Sequence, residues 1–435
     1  MTNTDERYNC ALNLYNKLEE LFKTSQIAQK FFEIPVLNEY RYISRALVDY
    51  NLTMEIELKE KAISKLEVGI AAAYNDIMDS IVLAIKSSIQ GLKNNFPNVN
   101  ASNILEKFEY KKVAEAIVLA EQTIVDSRGD RISRLDKYYE FSAKDEYKLL
   151  INFCTYLNLI EYLFDIESNQ TVSDSEKNIF ESVYKAFENP TGTYPHFELH
   201  YQPKYDNKKC MIGAEALIRL RVTENDLIPP GAFLEAIHQA RLENKLDRWV
   251  LETTAKDLNE FKDLLPSNFD IAINVNPSTI SDYEYISIFN TTIRENAIED
   301  ILSIEIIENW NEENGDHIQA HYRLAELNEK TKIAIDDFGT GTTMLEYIVM
   351  ISNLNTIKID KILIDKLETK NKEKALKLIS GITKLAEESG LKVTAEGIET
   401  DRQFEMLSEI GIDFYQGFKL SYPLTLNDFI QKINS

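Results

Sequence analysis

From residue 196 onward, strand-like apolar runs alternate with helix-like patterns, and this alternation limits the possible folds more than any other feature of the chain. Strand candidates are Phe197–Gln202, Ile212–Leu220, Asp270–Asn276, Leu302–Glu308, Lys332–Phe338, Thr356–Asp360, Lys392–Glu396 and Phe414–Gln416. Helical periodicity fills most of the gaps, as in Pro230–Arg241, Asp247–Phe261, Glu313–Lys330, Lys372–Ser389 and Asp401–Ile410. About eight strands in roughly 240 residues predict one α/β barrel of the TIM type, (β/α)8. A doubly wound open sheet is the other architecture that such alternation allows, but no GxGxxG follows an early strand.

The preceding residues have another texture. Of 14 glycines only Gly69, Gly91 and Gly129 come before residue 190, and of 10 prolines only Pro35 and Pro97. The turn-rich stretch Asn189–Pro195 marks the boundary, giving one domain over residues 1–190 and a second over 191–435. In the first, Leu66, Ile70, Tyr74, Ile77, Ile81, Ile85 and Ile89 step by three and four and so share a helix face. Ile104–Val125 carries a similar stripe through Val113, Ile117, Ala120 and Ile124, and Lys148–Phe164 is apolar nearly all round. An all-helical bundle of roughly six to eight helices follows, suited to regulation or dimerisation. It contains no His/Cys cluster or phosphate loop that would name a signal.

Charge and cysteine usage exclude some partners. A formal charge of −23 argues against a sequence-independent grip on a nucleic-acid polymer. The best membrane candidate, Gly69–Ile89, is interrupted by Asn75, Asp76 and Asp79, so no membrane insertion is expected. No signal-peptide pattern opens the chain, and Cys10, Cys154 and Cys210 are isolated; a reducing cytoplasm is the expected compartment.

In a barrel, chemistry gathers where strands end. The strand ends here carry Glu215, Asn274, Glu305, Glu308, Asp336, Asp337, Lys358, Glu396, Glu399 and Gln416. Glu305 lies between Ile304 and Ile306, and Asp336 follows Ile335, so both carboxylates need a partner or a proton. Oxygen-only donors from separate strands predict Mg2+ or Mn2+ rather than zinc, and the adjacent pair Asp336 and Asp337 suits two ions. His317 and His321, four apart on a predicted helix, lack a third ligand and read as a solvated face. His196 and His200 would share a face only in a helix, which FELHYQ does not suggest.

From His196 to about Ile430 the chain resembles the EAL-domain cyclic di-GMP phosphodiesterases. The resemblance rests on YQPK, Glu215-Ala216-Leu217, NVNPS, Glu305 to Glu308, DDFGTG, KID, AEGIET and YQG, in that order. It implies metal-dependent hydrolysis of cyclic di-GMP to linear pGpG, two ions per site and a homodimer. Position by position, it implies Glu215, Asn274, Glu305 and Asp336 as ligands of the first ion, with Asp337 helping to hold the second. Lys358 would orient the attacked phosphate and its water, and Glu396 would bind metal or act as general base. Arg219, Gln202 and Gln416 would contact the ligand, while Glu308 and Glu399 would brace the DDFGTG loop. The chain departs from the family at Leu220, where Trp is usual and stacks on the ligand, at Ile307, and at Thr342–Met344. A non-hydrolysing cyclic di-GMP receptor is the alternative that such departures leave open.

Overall fold

The computed structural model describes residues 56–129, 134–168, 174–188, 193–307, 323–338 and 348–434, with scattered positions between Arg7 and Asn51. They form two compact units. One is Met1–Phe180 with Gln239–Arg241, and the other is Glu181–His238 with Leu242–Ser435.

The first unit is helical. Its longest element, the 40-residue helix Ile56–Asn95, buries the whole predicted stripe from Leu66 to Ile89. By length and composition this helix could cross a membrane, but 71% of its apolar window is buried among the residues around it, as in a core helix. The chain leaves it at Phe96-Pro97, because proline cannot continue a helical hydrogen-bond ladder. Two expected single helices are broken. Ile104–Val125 divides into Ala101–Lys107 and Tyr110–Gly129, with Glu109 in the left-handed region at φ 51°. Lys148–Phe164 divides at Tyr156 into Asp145–Thr155 and Leu157–Ser168. The stripes continue across both breaks, so periodicity alone did not reveal them. Buried hydroxyls are paired inside: Tyr74 with Tyr147 at 3.2 Å, and Ser127 with Tyr138 at 2.8 Å.

The second unit is a closed barrel. Its strands are β1 (His196–Tyr205), β2 (Met211–Arg221), the short β3 (Leu227–Ile228), β4 (Asp270–Asn274), β5 (Leu302–Ile307), β6 (Ile333–Phe338), β7 (Leu354–Ile359), β8 (Lys392–Ala395) and β9 (Phe414–Tyr415). The order β1-β9-β8-β7-β6-β5-β4-β2 closes through β1 on β2, and β3 extends β2 outside the ring. From β2 round to β9 the ring pairs are parallel, while β1 is antiparallel to both of its neighbours. The eight-stranded ring thus departs from an all-parallel barrel at its first strand. A glycine is needed where β2 begins, because a Cβ on Gly213 would lie 2.5 Å from the carbonyl oxygen of Asp270 on β4.

Strand periodicity sorts the ring's side chains. Ile271, Ile273, Ile304, Ile306, Ile333, Ile335, Ile357 and Ile359 are buried in the shell between strands and helices. The intervening positions, among them Asn274, Glu305, Asp336 and Lys358, turn to the interior. The final helix, Leu426–Ile433, covers β1: its Phe429 ring lies 5.2 Å from that of Tyr201 and 5.7 Å from that of Phe261. Most of the predicted helix Glu313–Lys330 falls outside the described residues.

Candidate active site

The interior acids converge on one ammonium. Lys358 of β7 is 1% exposed and ion-pairs with Glu305, with Glu396 at 2.7 Å, with Asp336 at 3.2 Å and with Glu215 at 3.6 Å. These partners come from β2, β5, β6 and the turn after β8, so the ring's closure is what assembles them. One carboxylate oxygen each from Glu215, Glu305 and Asp336 lies within 4.8 Å of the others, a spacing that could hold a metal ion. The donor set is oxygen-only and anionic, which fits a hard divalent cation.

Amides fix the first of these acids. Asn274 Nδ2 donates to Glu215 Oε1 at 2.7 Å, and Gln416 Nε2 donates to Glu215 Oε2 at 2.8 Å. Gln416 Nε2 also reaches Gln202 Oε1 at 3.2 Å, and Gln202 Nε2 donates to the carbonyl of Ser421. Gln416 can approach because residue 417 is glycine; a Cβ there would collide with the backbone of Ile398.

Burial and these neighbours pull the protonation equilibria apart. Burial pushes Glu215 up, but Lys358, Lys204 and the two amides outweigh it and hold the carboxyl at about 2. Burial and the adjacent Glu215 push Glu305 up to about 7, against the pull of Lys204 and Lys358. Glu396 is also raised, chiefly by burial. For Lys358 burial works against the charge, yet Asp336, Glu215, Glu305 and Glu396 hold its ammonium well above the ordinary lysine range. Such separation is what one site needs to carry both a permanent cation and proton-exchanging acids.

The remaining predicted residues lie at varying distances from this cluster. Asp337 adopts φ 55°, a left-handed conformation strained for aspartate. Burial, Asp336 and Asp360 push its carboxyl up to about 6. Arg219 follows Glu215 by four residues on β2, and its Nη1 donates to the carbonyl of Ile218. Glu399 pairs with Lys361 at 3.1 Å. Glu308, His317, His321 and Thr342–Met344 lie outside the described residues, as does the side chain of Ile307. Leu220 is fully buried on the opposite face of β2 from Glu215 and Arg219, so that departure alters core packing and not ligand stacking. His196 and His200 also need correction. Alternate strand residues share a face, and both rings meet Glu198, at 3.6 and 2.7 Å.

The YQPK segment adds a further residue to the cluster. Lys204 Nζ, on β1, donates to Glu305 Oε1 at 2.6 Å. Two cavities open beside the acids and meet at Glu215 and Leu217. One, of about 490 Å³, runs along Asn274, Leu234, Ile237 and His238; the other, of about 260 Å³, runs along Gln202, Glu396, Gln416 and Phe418.

Comparison with known proteins agrees with this fold. A family model described as EAL domain matches residues 184–423. The signalling protein YkoW of Bacillus subtilis is 31% identical over 62% of this chain and 33% of its own length. MucR of Pseudomonas aeruginosa, described as a bifunctional diguanylate cyclase/cyclic di-GMP phosphodiesterase, is 30% identical over 54% of this chain and 34% of its own. The chain therefore spans about a third of the length of these two curated relatives. Among solved structures, the PaMucR phosphodiesterase in a c-di-GMP complex superposes with a TM-score of 0.52 at 28% identity, covering 58% of this chain and 99% of that one. An EAL domain protein from Listeria monocytogenes gives 0.51 at 27% identity, covering 61% of this chain and 98% of that one.

Proposed function

The chain belongs to the EAL domain family, and from that membership we propose that it hydrolyses cyclic di-GMP to linear pGpG with the help of divalent cations. The observation that carries the proposal is the meeting of Glu215, Glu305 and Asp336, from three separate strands, around Lys358. These acids, with Asn274, would hold one Mg2+ or Mn2+, and Asp337 would help to hold a second. Bound there, the cations supply Lewis-acid neutralisation of phosphoryl charge and a more acidic water.

The chain's own groups have distinct tasks. Lys358, kept cationic by its acids, stabilises negative charge on the attacked phosphoryl group and has no proton to accept. Glu396, raised by burial and 2.7 Å from that ammonium, is placed to take the proton of the attacking water. One water adds to phosphorus, one P–O3′ bond breaks with O3′ taking a proton from solvent to become a hydroxyl, and the ring opens to a linear dinucleotide with a 5′-phosphate. The two cavities flanking Glu215 suit a ligand with two bases on one phosphodiester ring. Gln202 and Gln416 line the smaller cavity, and with Arg219 they would contact that ring.

The test is chromatographic. Purified protein with Mg2+ or Mn2+ should convert cyclic di-GMP to pGpG as first product. Tight binding with no product would make the chain a receptor for the nucleotide instead.

A further inference from the structure

Lys204 reaches the acid cluster from the opposite end of the barrel. It sits on the ring's one antiparallel strand, opposite Gly213 near the start of β2, whereas Glu215, Glu305 and Asp336 belong to strands running the other way. Its side chain, in a residue only 6% exposed, climbs the interior to Glu305 Oε1. The other oxygen of Glu305 takes Lys358. A fully buried carboxylate is thus held at both oxygens, from below by Lys204 and from the side by Lys358. A cavity of about 290 Å³ lies beneath, lined by Lys204, Asp270, Ser303, Glu305, Lys332 and Thr394 among others. Lys204 lines this cavity while its ammonium stays bonded to Glu305.

We propose that Lys204 is a positioning residue: by gripping one oxygen of Glu305 it aims the other at the cation position and keeps the carboxylate from turning away. The proposal rests on the reading of the acids as a cation site. Partners that orient a metal-binding carboxylate typically change affinity 10–100-fold when removed. A simple electrostatic competitor would do the reverse, since deleting a positive charge beside a cation site should tighten binding.

Titration calorimetry of the full chain with MnCl2 separates these cases. Lys204→Met should weaken Mn2+ binding by about tenfold or more, and Lys204→Arg, which keeps a cation, should recover most of that loss. If Lys204→Met fails to fold by circular dichroism, Lys204→Gln, too short to reach Glu305, should show the same weakening. Unchanged or tighter Mn2+ binding in the folded variant overturns the proposal, as does a lowered melting temperature with unchanged affinity, the mark of a merely structural lysine. Absence of Mn2+ binding in the unaltered protein would instead sink the cation site itself.

Discussion

Lys358 shows how much of this site rests on single charges. Among the described residues its ammonium is the cation that pairs with Glu396 and Asp336 and a shared one for Glu305 and Glu215. Removing one partner from a buried charge cluster leaves the others uncompensated, at about 3–5 kcal/mol. Lys358→Ala is therefore expected to lose about that much stability in urea denaturation without divalent ions, and about 100-fold or more in turnover. Unaltered denaturation would contradict the shared-cation account. Asp247 makes a second prediction. It is 7% exposed and accepts the Asn276 N–H at 2.8 Å, just past Asn274. Burial pushes its carboxyl from an ordinary 3.8 up to about 7, with the Asn276 N–H only partly opposing. Between those two values the folded chain holds the proton and the unfolded chain does not, so stability falls as pH rises through this window and levels off above it. Asp247→Asn keeps the acceptor and removes that slope. Its melting temperature should gain on the unaltered protein more at pH 8 than at pH 5; an equal gain at both would contradict the burial argument.

At the scale of elements, the turn after β9 matters because it delivers Gln416 to Glu215. Gly417→Ala places a methyl group against the backbone of Ile398, an overpacking of about 1–3 kcal/mol. Both melting temperature and turnover should fall, and a variant melting like the unaltered protein would show that the turn has slack. Strands β4 to β7 were legible because buried isoleucines alternate with smaller or polar residues, as in Ile304-Glu305-Ile306. Period two has no direction, however. The same pattern fits a strand running either way, so the reversal of β1 could not be read, and with it the reach of Lys204 into the cluster. The helix breaks at Glu109 and Tyr156 were hidden for a similar reason, since an apolar stripe can pass through a short turn without losing its spacing. Metal-site candidates were legible because acids between branched apolar residues need a reason to be there.

For the whole molecule, the boundary between units decides which truncation is informative. The unit starting at Glu181 includes Phe187, whose ring lies 4.9 Å from that of Phe197 on β1, with Lys245 Nζ 5.1 Å from the Phe187 ring centre. A chain beginning at Thr191 loses that cover, while one beginning at Asp174 keeps it. Fully burying a phenylalanine contributes about 1.5–3 kcal/mol; Phe187 is half-buried, so the longer version should melt a few degrees higher, and equal melting would show that this helix adds nothing to the barrel's stability. Comparing the Asp174 version with the full chain then reads the helical unit's influence on turnover, higher activity marking a brake and lower activity an assembly device. Acids from separate strands are expected to act together with divalent cations on a phosphodiester. The most direct test is the rate of cyclic di-GMP loss in the full chain as free Mn2+ is raised from an EDTA-stripped start, beside Glu215→Gln. The rate should be nil in EDTA, rise to saturation with Mn2+, and stay nil at every Mn2+ concentration in the variant. Undiminished turnover in EDTA, or a variant as fast as the unaltered protein, would contradict it.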